Sequence, residues 1–174
     1  MSFVEEIRKH NAILVVVSDI ANKESALMAL KESQNSFQRI GYVLINEFYN
    51  IIIEEFNKRK IDLGKFFFID AKTAAEGIPP ILDNCIFISS PSSLTELRVA
   101  FNTLIEERNR EIVFFDRFSR LMDCADIFAV TKLLHNLLLT TASNSRKVVF
   151  FVVADDSDRL VKDMTMFVDK TISI

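Results

Sequence analysis

Acidic side chains follow several of the short apolar runs of this chain. Residues 112–119 read IVFFDRFS, in which four apolar residues lead directly to Asp116. Asp19, Glu47 and Asp70 hold similar positions after three other apolar runs. Carboxylates at strand ends can hold Mg²⁺, which binds a few carboxylates and keeps several of its waters. The pattern is consistent with a magnesium or phosphate site, and equally with acids that end strands and cap the next helix.

Seven apolar runs have the length and composition of β-strands, and they alternate with stretches of helical period. The predicted strands are 12–17, 42–46, 65–70, 85–89, 112–116, 147–154 and a last one near 167–174. The predicted helices are 22–33, 47–60, 92–108, 124–141 and 156–166. Most of these strands are apolar on both faces, as parallel strands covered by helices must be. The alternation predicts an α/β fold with three layers, α/β/α, around a mostly parallel sheet.

This fold class determines where the acids must lie. The carboxyl ends of parallel strands share one edge of the sheet, and ligands of open α/β sheets bind beyond that edge. The fold alone therefore brings the strand-end acids near one another, whether or not they act on a ligand.

Three further segments carry local predictions. Ser93 and Glu96 have the spacing of a capping box after Pro91. The helix near 124–141 is apolar almost all round, which predicts either deep packing or a role in an interface. The stretch 72–84 contains Gly-Ile-Pro-Pro and is predicted to be a loop.

Length and composition limit the classes of function. The chain has 174 residues, which predicts a single domain over 1–174. Its net charge of −3 gives no electrostatic reason to expect a nucleic-acid partner. The apolar runs are too short to cross a membrane, and the first residues resemble no export signal, so we expect a cytoplasmic protein. The isolated Cys85 and Cys124 lack the spacing of a metal site and suit a reducing compartment.

Glycine is the most informative count in the composition. The chain has only three glycines, Gly41, Gly64 and Gly77, whereas an average protein of this length has several times as many. Functions that depend on a glycine-rich loop are therefore nearly excluded.

The ordered set of segments resembles the RecA superfamily, and more narrowly the archaeal-type KaiC-like proteins. It runs, in order, YVLINEFYN, KIDLGKFFFID, CIFISSPSSLTELRVAFNTL and EIVFFDRFSRL, and the resemblance covers about residues 12–174. It implies a RecA-like fold, in which IVFFD is the Walker B strand and Asp116 faces Mg²⁺ through water. It also places Glu47 where the family carries its catalytic glutamates, with Asn46 where a second acid often stands.

The chain departs from this family at the phosphate loop. The pattern GxxxxGK[ST] should follow the first strand, but the sequence there is VSDIANKES. If Lys23 is the loop lysine, Val17 and Asn22 take the glycine positions and Glu24 takes the Ser/Thr position. A shift by one residue brings Ser25 into register but replaces the lysine by Glu24. The Walker A motif is therefore degenerate in either register. Phosphate loops need glycines, since their backbone N–H groups must approach phosphate without a Cβ.

These observations predict a KaiC-like domain that does not bind ATP in the conventional way and acts in regulation or protein interaction. We expect a protein partner or a homo-oligomer, and no cofactor. The alternative is a nucleotide-binding protein or weak ATPase with a non-standard loop. In that case Asn22, Lys23, Ser25 and Asp116 would bind ATP and Mg²⁺, and Glu47 would be the catalytic residue.

A phosphorelay receiver is a third interpretation, because Asp70 ends the third strand and Asp19 follows the first. Receivers need a lysine at the end of a late strand to hold the phosphoryl group. Here the sixth strand leads instead into Asp155, Asp156 and Asp158, whose charges would repel a phosphoryl group. This interpretation therefore ranks below the other two.

Overall fold

The computed structural model describes residues 2–18, 22–154 and 158–174, with the side chains of Asn22 and Asp158 left out. Seven strands form one sheet: β1 (Ala12–Val17), β2 (Ile40–Leu44), β3 (Phe66–Asp70), β4 (Cys85–Phe87), β5 (Ile112–Phe115), β6 (Lys147–Val153) and β7 (Lys170–Ser173). Their order across the sheet is β4-β3-β2-β5-β6-β1-β7, and every neighbouring pair is parallel. The prediction of a mostly parallel sheet is therefore confirmed.

In the described part of the chain, seven helices accompany the strands: α1 (Phe3–Lys9), α2 (Asn22–Ser33), α3 (Tyr49–Arg59), α4 (Thr73–Glu76), α5 (Leu94–Asn102), α6 (Ile127–Ser143) and α7 (Asp158–Phe167). A π-helical turn, Thr103–Glu107, continues α5, and short 3₁₀ segments occupy Leu63–Lys65 and Phe118–Asp123. None of the helices in the described residues is long and apolar enough to cross a membrane.

The helices cover both faces of the sheet. One core cluster packs α1, α2 and α3 against the first face, with Leu27, Ile52 and Phe56 in its interior. The other packs α5, α6 and α7 against the opposite face, with Phe101 and Leu134 fully buried. Strand residues alternate between the two clusters, which explains why the strands are apolar on both faces. The predicted three-layer architecture is thus confirmed.

The local predictions at helix ends have a mixed outcome. Ser93 is the residue before α5, but its side chain makes no capping hydrogen bond. Glu96 instead accepts hydrogen bonds from the backbone N–H and the hydroxyl of Ser89. The predicted capping box is therefore wrong, because the glutamate folds back onto the preceding loop. A complete capping box is found at α1, between Ser2 and Glu5, in a helix that the sequence did not predict.

Gly41 is the second residue of β2, the strand that leads to the candidate site. A Cβ added at this position would stand 3.0 Å from Leu104 Cδ1 and 3.0 Å from Val113 Cγ2. Both atoms belong to the packed core between the sheet and the end of α5. A Cβ at Gly41 would therefore be in unusually tight contact, and the side chains of Leu104 and Val113 would have to move to admit it.

We expect Gly41→Ala to destabilise the fold by about 1–3 kcal/mol, because the core must move to admit the methyl group. Gly77→Ala is the matched control, since a Cβ at that position meets no atom within 4 Å. Chemical denaturation of both variants measures the change in the free energy of unfolding. Equal effects from the two substitutions would contradict the packing explanation.

Candidate functional site

The loop between β2 and α3 forms the centre of the candidate site. Strand β2 lies between β3 and β5, so its loop leaves the sheet between Asp70, at the end of β3, and Asp116, directly after β5. Both aspartates are buried. Each of them accepts hydrogen bonds from the backbone of this loop or of the helix that it enters, and the two carboxylates together fix its path.

Asp116 binds the beginning of the loop. Its Oδ1 accepts hydrogen bonds from the backbone N–H of Ile45 at 2.8 Å and of Arg117 at 2.7 Å, and its Oδ2 accepts one from Asn46 at 3.1 Å. The backbone N–H of Asp116 donates in turn to the carbonyl of Val43 at 3.1 Å. The side chain therefore extends the pairing of β5 with β2 past the end of the strands.

Burial changes the acidity of Asp116. It raises the pKa of this carboxyl from its ordinary 3.8 to about 6, because the charged form loses its water. The three backbone hydrogen bonds favour the charged form and lower the pKa, while the charge of nearby Glu47 raises it. The loss of hydration outweighs the hydrogen bonds.

Asp70 binds the start of α3 and the start of α4. Its Oδ2 accepts hydrogen bonds from the backbone N–H of Tyr49 at 2.8 Å and from the hydroxyl of Thr73 at 2.5 Å. Its Oδ1 accepts two more, from the backbone N–H groups of Lys72 at 2.7 Å and Thr73 at 2.8 Å. Four donors therefore surround a buried carboxylate, and Asp70 caps two helices at once.

Lys23 and Glu47 form an ion pair at the same edge. Lys23, the second residue of α2, donates from Nζ to Glu47 Oε2 at 3.2 Å. The other oxygen of Glu47 accepts from the backbone N–H of Phe48 at 3.1 Å. The neighbouring Glu24 receives a hydrogen bond from Arg59 of α3 at 2.5 Å. The first turn of α2 is thus tied to α3 and its loop by two pairs of opposite charge.

These side chains enclose a small polar cavity of about 50 Å³. Lys23, Asn46, Glu47 and Asp116 supply its polar wall, and Tyr42 lies beside them. Burial raises the pKa of Tyr42 well above its ordinary value, and the charges of Asp116 and Glu47 raise it further. Tyr42 therefore remains a neutral hydroxyl at physiological pH.

The structure brings together three of the five candidate site residues. Lys23, Glu47 and Asp116 line the same cavity. Ser25 instead lines an apolar groove between α1, α2 and β7, with Phe3 and Ile172 as neighbours.

The remaining candidates fall wholly or partly outside the described residues. Asn22 begins α2, but its side chain lies outside the described part of the chain. Asp19 and the segment 155–157 also lie outside it. Asp19, Asp155 and Asp156 therefore have no described positions, and Asp158 begins α7 with its side chain outside the described part of the chain.

Two residues of the site were not singled out from the sequence. Tyr42 is an inward-facing residue of a strand, and its sequence context is that of any core tyrosine. Lys72 donates from Nζ to the carbonyl of Asn46 at 3.2 Å, and the same atom lies 4.4 Å from the centre of the Phe48 ring. A lysine two residues after a strand-end aspartate was the only available signal, and it did not reveal this contact across the loop.

The hydrogen bonds and ion pairs within the site limit the chemistry that its side chains can perform. Asp116 and Asp70 accept seven hydrogen bonds between them from the protein. The ammonium of Lys23 is paired with a carboxylate. Within the described residues, no cluster of three or more His, Cys, Asp or Glu side chains has the geometry to hold a metal ion. The two aspartates, Glu47 and Lys23 therefore all have hydrogen-bond partners within the protein.

Comparison with solved structures identifies the fold. The accessory protein FlaH from Methanocaldococcus jannaschii superimposes with a TM-score of 0.65 at 16% identity, over 94% of this chain and 71% of its own. The KaiC-like protein PH0186 from Pyrococcus horikoshii gives 0.68 at 10% identity, with the same coverage. The uncharacterised protein PH0321 from the same organism, solved with an unknown peptide, gives 0.73 at 14% identity over 97% and 82%.

Sequence comparison adds no closer relative, since no family model and no curated protein matches this chain. Identities of 10–16% establish the fold alone. The chain has the RecA-like fold of these KaiC-like and flagellar accessory proteins, as the ordered strand motifs predicted.

The raised pKa of Asp116 predicts how the stability of the fold depends on pH. Its folded pKa lies above the unfolded value, so the folded state binds more protons in this range and loses stability as pH rises. The rise to about 6 corresponds to a loss of about 3 kcal/mol between about pH 4 and about pH 7. We expect the stability of the wild type relative to Asp116→Asn to fall by about this amount over that interval. Urea denaturation at several pH values tests this, and a difference independent of pH would contradict it.

Proposed function

We propose that this chain is a KaiC-like domain without conventional ATP binding that serves in regulation or protein interaction. The observation that carries the proposal is the ion pair between Lys23 and Glu47. In one register of the degenerate phosphate loop, Lys23 is the residue that would bind phosphate. In this structure the ammonium group of Lys23 is paired instead with the carboxylate of Glu47.

The hydrogen bonds that the carboxylate of Asp116 accepts also support the proposal. A residue that holds Mg²⁺ through water needs oxygen lone pairs that face solvent or ligand. Three backbone N–H groups already bind the carboxylate of Asp116, which is 6% exposed. Its role as an acceptor for the loop backbone accounts for its burial without a metal ion.

The small volume of the cavity is a third observation that supports the proposal. The cavity between Lys23, Glu47 and Asp116 measures about 50 Å³, whereas pockets for small-molecule ligands measure about 300–1,000 Å³. The cavity that the described side chains form is thus smaller than pockets of that kind, which supports the proposal. The sequence VSDIANKES adds to this, since it lacks the glycines that let a backbone approach phosphate.

Because we propose that the domain does not bind ATP in the conventional way, we infer that it interacts with another protein. The structural neighbours include an accessory protein and a protein solved with a bound peptide. Large apolar side chains of this chain are also exposed on its surface, among them Phe128 and Leu139 on α6. The helix near 124–141 was predicted either to be deeply packed or to take part in an interface. Leu134 and Leu137 of α6 are buried in the core, and the exposed side chains leave the interface role as part of this proposal.

The alternative function is a nucleotide-binding protein or weak ATPase with a non-standard phosphate loop. The proximity of Lys23, Glu47 and Asp116 favours it, because a lysine and two acids that meet at a strand edge could serve phosphate chemistry. It requires that Lys23 leave Glu47 when the nucleotide binds. Asp116→Ala would then abolish Mg²⁺-dependent binding, and Glu47→Ala would abolish turnover.

Calorimetric titration with Mg-ATP and Mg-ADP decides between the two functions. We expect no binding tighter than millimolar for the wild type, since its lysine and aspartate are already bound within the protein. Micromolar binding that Asp116→Ala abolishes would overturn the proposal in favour of the alternative.

Glu47→Gln sharpens this test, because it removes the charge that holds Lys23. The pair is partly exposed, so its loss costs less than about 1 kcal/mol and leaves the fold intact. Glu54→Gln, at an exposed position of α3, is the matched control. We expect neither variant to bind nucleotide. Binding gained by Glu47→Gln alone would mean that the ion pair is the only barrier and that the rest of the site remains competent.

A further inference from the structure

Four arginines lie together at the amino edge of the sheet, and we call them the arginine cluster. Arg39 directly precedes β2, Arg110 lies two residues before β5, and Arg146 directly precedes β6. Arg108 belongs to the same loop as Arg110. Strand β5 lies between β2 and β6 in the sheet. Because the candidate site lies at the carboxyl ends of the strands, the arginine cluster occupies the opposite edge.

Backbone hydrogen bonds hold the three loops of the cluster side by side. The N–H of Glu111 donates to the carbonyl of Arg39 at 2.7 Å, and the N–H of Lys147 donates to the carbonyl of Glu111 at 3.1 Å. Arg146 Nη2 donates across the loops to Asn109 Oδ1 at 3.5 Å. Neighbouring strands are about 4.8 Å apart, so the arginines enter a short stretch of this edge.

Two of the four side chains are held in place by the chain itself. Arg110 is half-buried, and its Nε donates to the carbonyl of Arg108 at 2.8 Å. The guanidinium carbon of Arg108 lies 4.9 Å from the centre of the Phe67 ring, which is a cation–π contact. Side chains that are already restrained lose less entropy when they bind a ligand.

The chain does not supply carboxylates to the cluster. In the described part of the chain none of its four guanidinium groups forms an ion pair, whereas Arg59 and Arg120 each do. Glu111 lies among the arginines, but its Oε2 accepts hydrogen bonds from the backbone N–H of Gln38 at 2.9 Å and of Arg39 at 2.8 Å. This acid therefore stabilises the loop before β2 and not a guanidinium group.

The positive charges of the cluster act against one another. Burial lowers the pKa of Arg110, and the charges of Arg39 and Arg108 lower it further, while Glu111 raises it. The two glutamates at 106–107 are exposed and form no ion pair with the cluster within the described residues. Like charges at short range disfavour one another, and partial burial strengthens the effect. The cluster is therefore electrostatically unfavourable in the absence of an anion.

Arg146 adds a donor that the protein leaves unpaired. Its Nε atom is buried and has no hydrogen-bond partner among the described residues. Nearly all buried donors in native proteins have a partner, and each exception requires an explanation. An acceptor that approaches this loop would give the guanidinium group the partner that the chain does not supply.

We propose that the arginine cluster binds an oxyanion, the phosphate or carboxylate group of a ligand. Guanidinium groups present paired N–H donors that match two oxygens of either group. Arg39, Arg108 and Arg110 would surround the anion, and its charge would offset the repulsion among them. The cluster and the cavity around Asp116 lie at opposite edges of the sheet, so this inference goes beyond the proposed function and does not depend on it.

Calorimetric titration at constant ionic strength tests the site, with inorganic phosphate and a tetraglutamate peptide as separate probes. We expect the wild type to bind at least one of them, and Arg39→Gln to raise its Kd at least about tenfold through the lost charge. The Arg39 guanidinium is exposed and bonds no described residue, so the variant should fold. Arg98→Gln, at an exposed position near the start of α5, is the matched control and should leave the Kd unchanged. Binding of neither probe, or equal effects from the two variants, would overturn the inference.

The two probes also distinguish the sources of the oxyanion. Tighter binding of phosphate would assign the site to a ligand that carries a phosphate group. Tighter binding of the peptide would assign it to an acidic segment of a protein partner. Either result supports the inference.

Arg110→Lys tests whether the guanidinium group itself recognises the anion. The substitution keeps the positive charge but removes the paired donors, so we expect the Kd of the bound probe to rise several-fold. An Arg110→Lys variant that binds as tightly as the wild type would contradict recognition by guanidinium groups.

The outcome of this test is distinguishable from that of the proposed function, although ATP also carries phosphate groups. Nucleotide bound at the cluster would be weakened by Arg39→Gln and not by Asp116→Ala. That result would support this inference and leave the proposed function standing. Nucleotide binding that Asp116→Ala abolishes and Arg39→Gln leaves unchanged would overturn the proposed function alone.

Discussion

A carboxylate that is buried at the end of a parallel strand must receive hydrogen bonds, because an unpaired charge in that position is costly. Asp116 and Asp70 meet this requirement with the backbone of the segments around them. The requirement determines the path of the β2–α3 loop, since Ile45 and Asn46 must turn their N–H groups towards one aspartate and Tyr49 towards the other. The positions of Glu47 and of the start of α3 follow from this path.

The same constraint explains why retained acids need not indicate retained chemistry. A strand-end aspartate can be compensated by a metal ion, by a cationic side chain or by backbone donors, and each of these uses the same lone pairs. In this chain the donors come from the backbone at Asp116 and from Lys23 at Glu47. Each of these carboxylates therefore has hydrogen-bond partners within the chain, while burial still raises the pKa of Asp116, and the acids contribute to the architecture of the sheet edge.

Much of the fold was predictable because its signals are local. Strands buried on both faces consist of continuous apolar runs, so β1 was predicted at its observed bounds and β3, β5 and β6 within one residue. Helix α1 was missed because it has only seven residues and one buried side chain, Ile7. The capping box at Ser93 was wrong because the backbone angles of the preceding loop, which the sequence pattern does not specify, allowed Glu96 to reach Ser89 instead. The pairing of Lys23 with Glu47 joins residues 24 positions apart and depends on the assembled sheet.

Asp70 also connects two helices at the edge of the sheet. It accepts hydrogen bonds from the backbone N–H of Tyr49 at the start of α3, and from the backbone N–H and hydroxyl of Thr73 at the start of α4. A single buried carboxylate therefore fixes the beginnings of both helices relative to β3. Asp116 does the same for the β2–α3 loop relative to β5. The two acids thus act as a frame for this edge of the sheet, and the donors that hold them come from the chain itself.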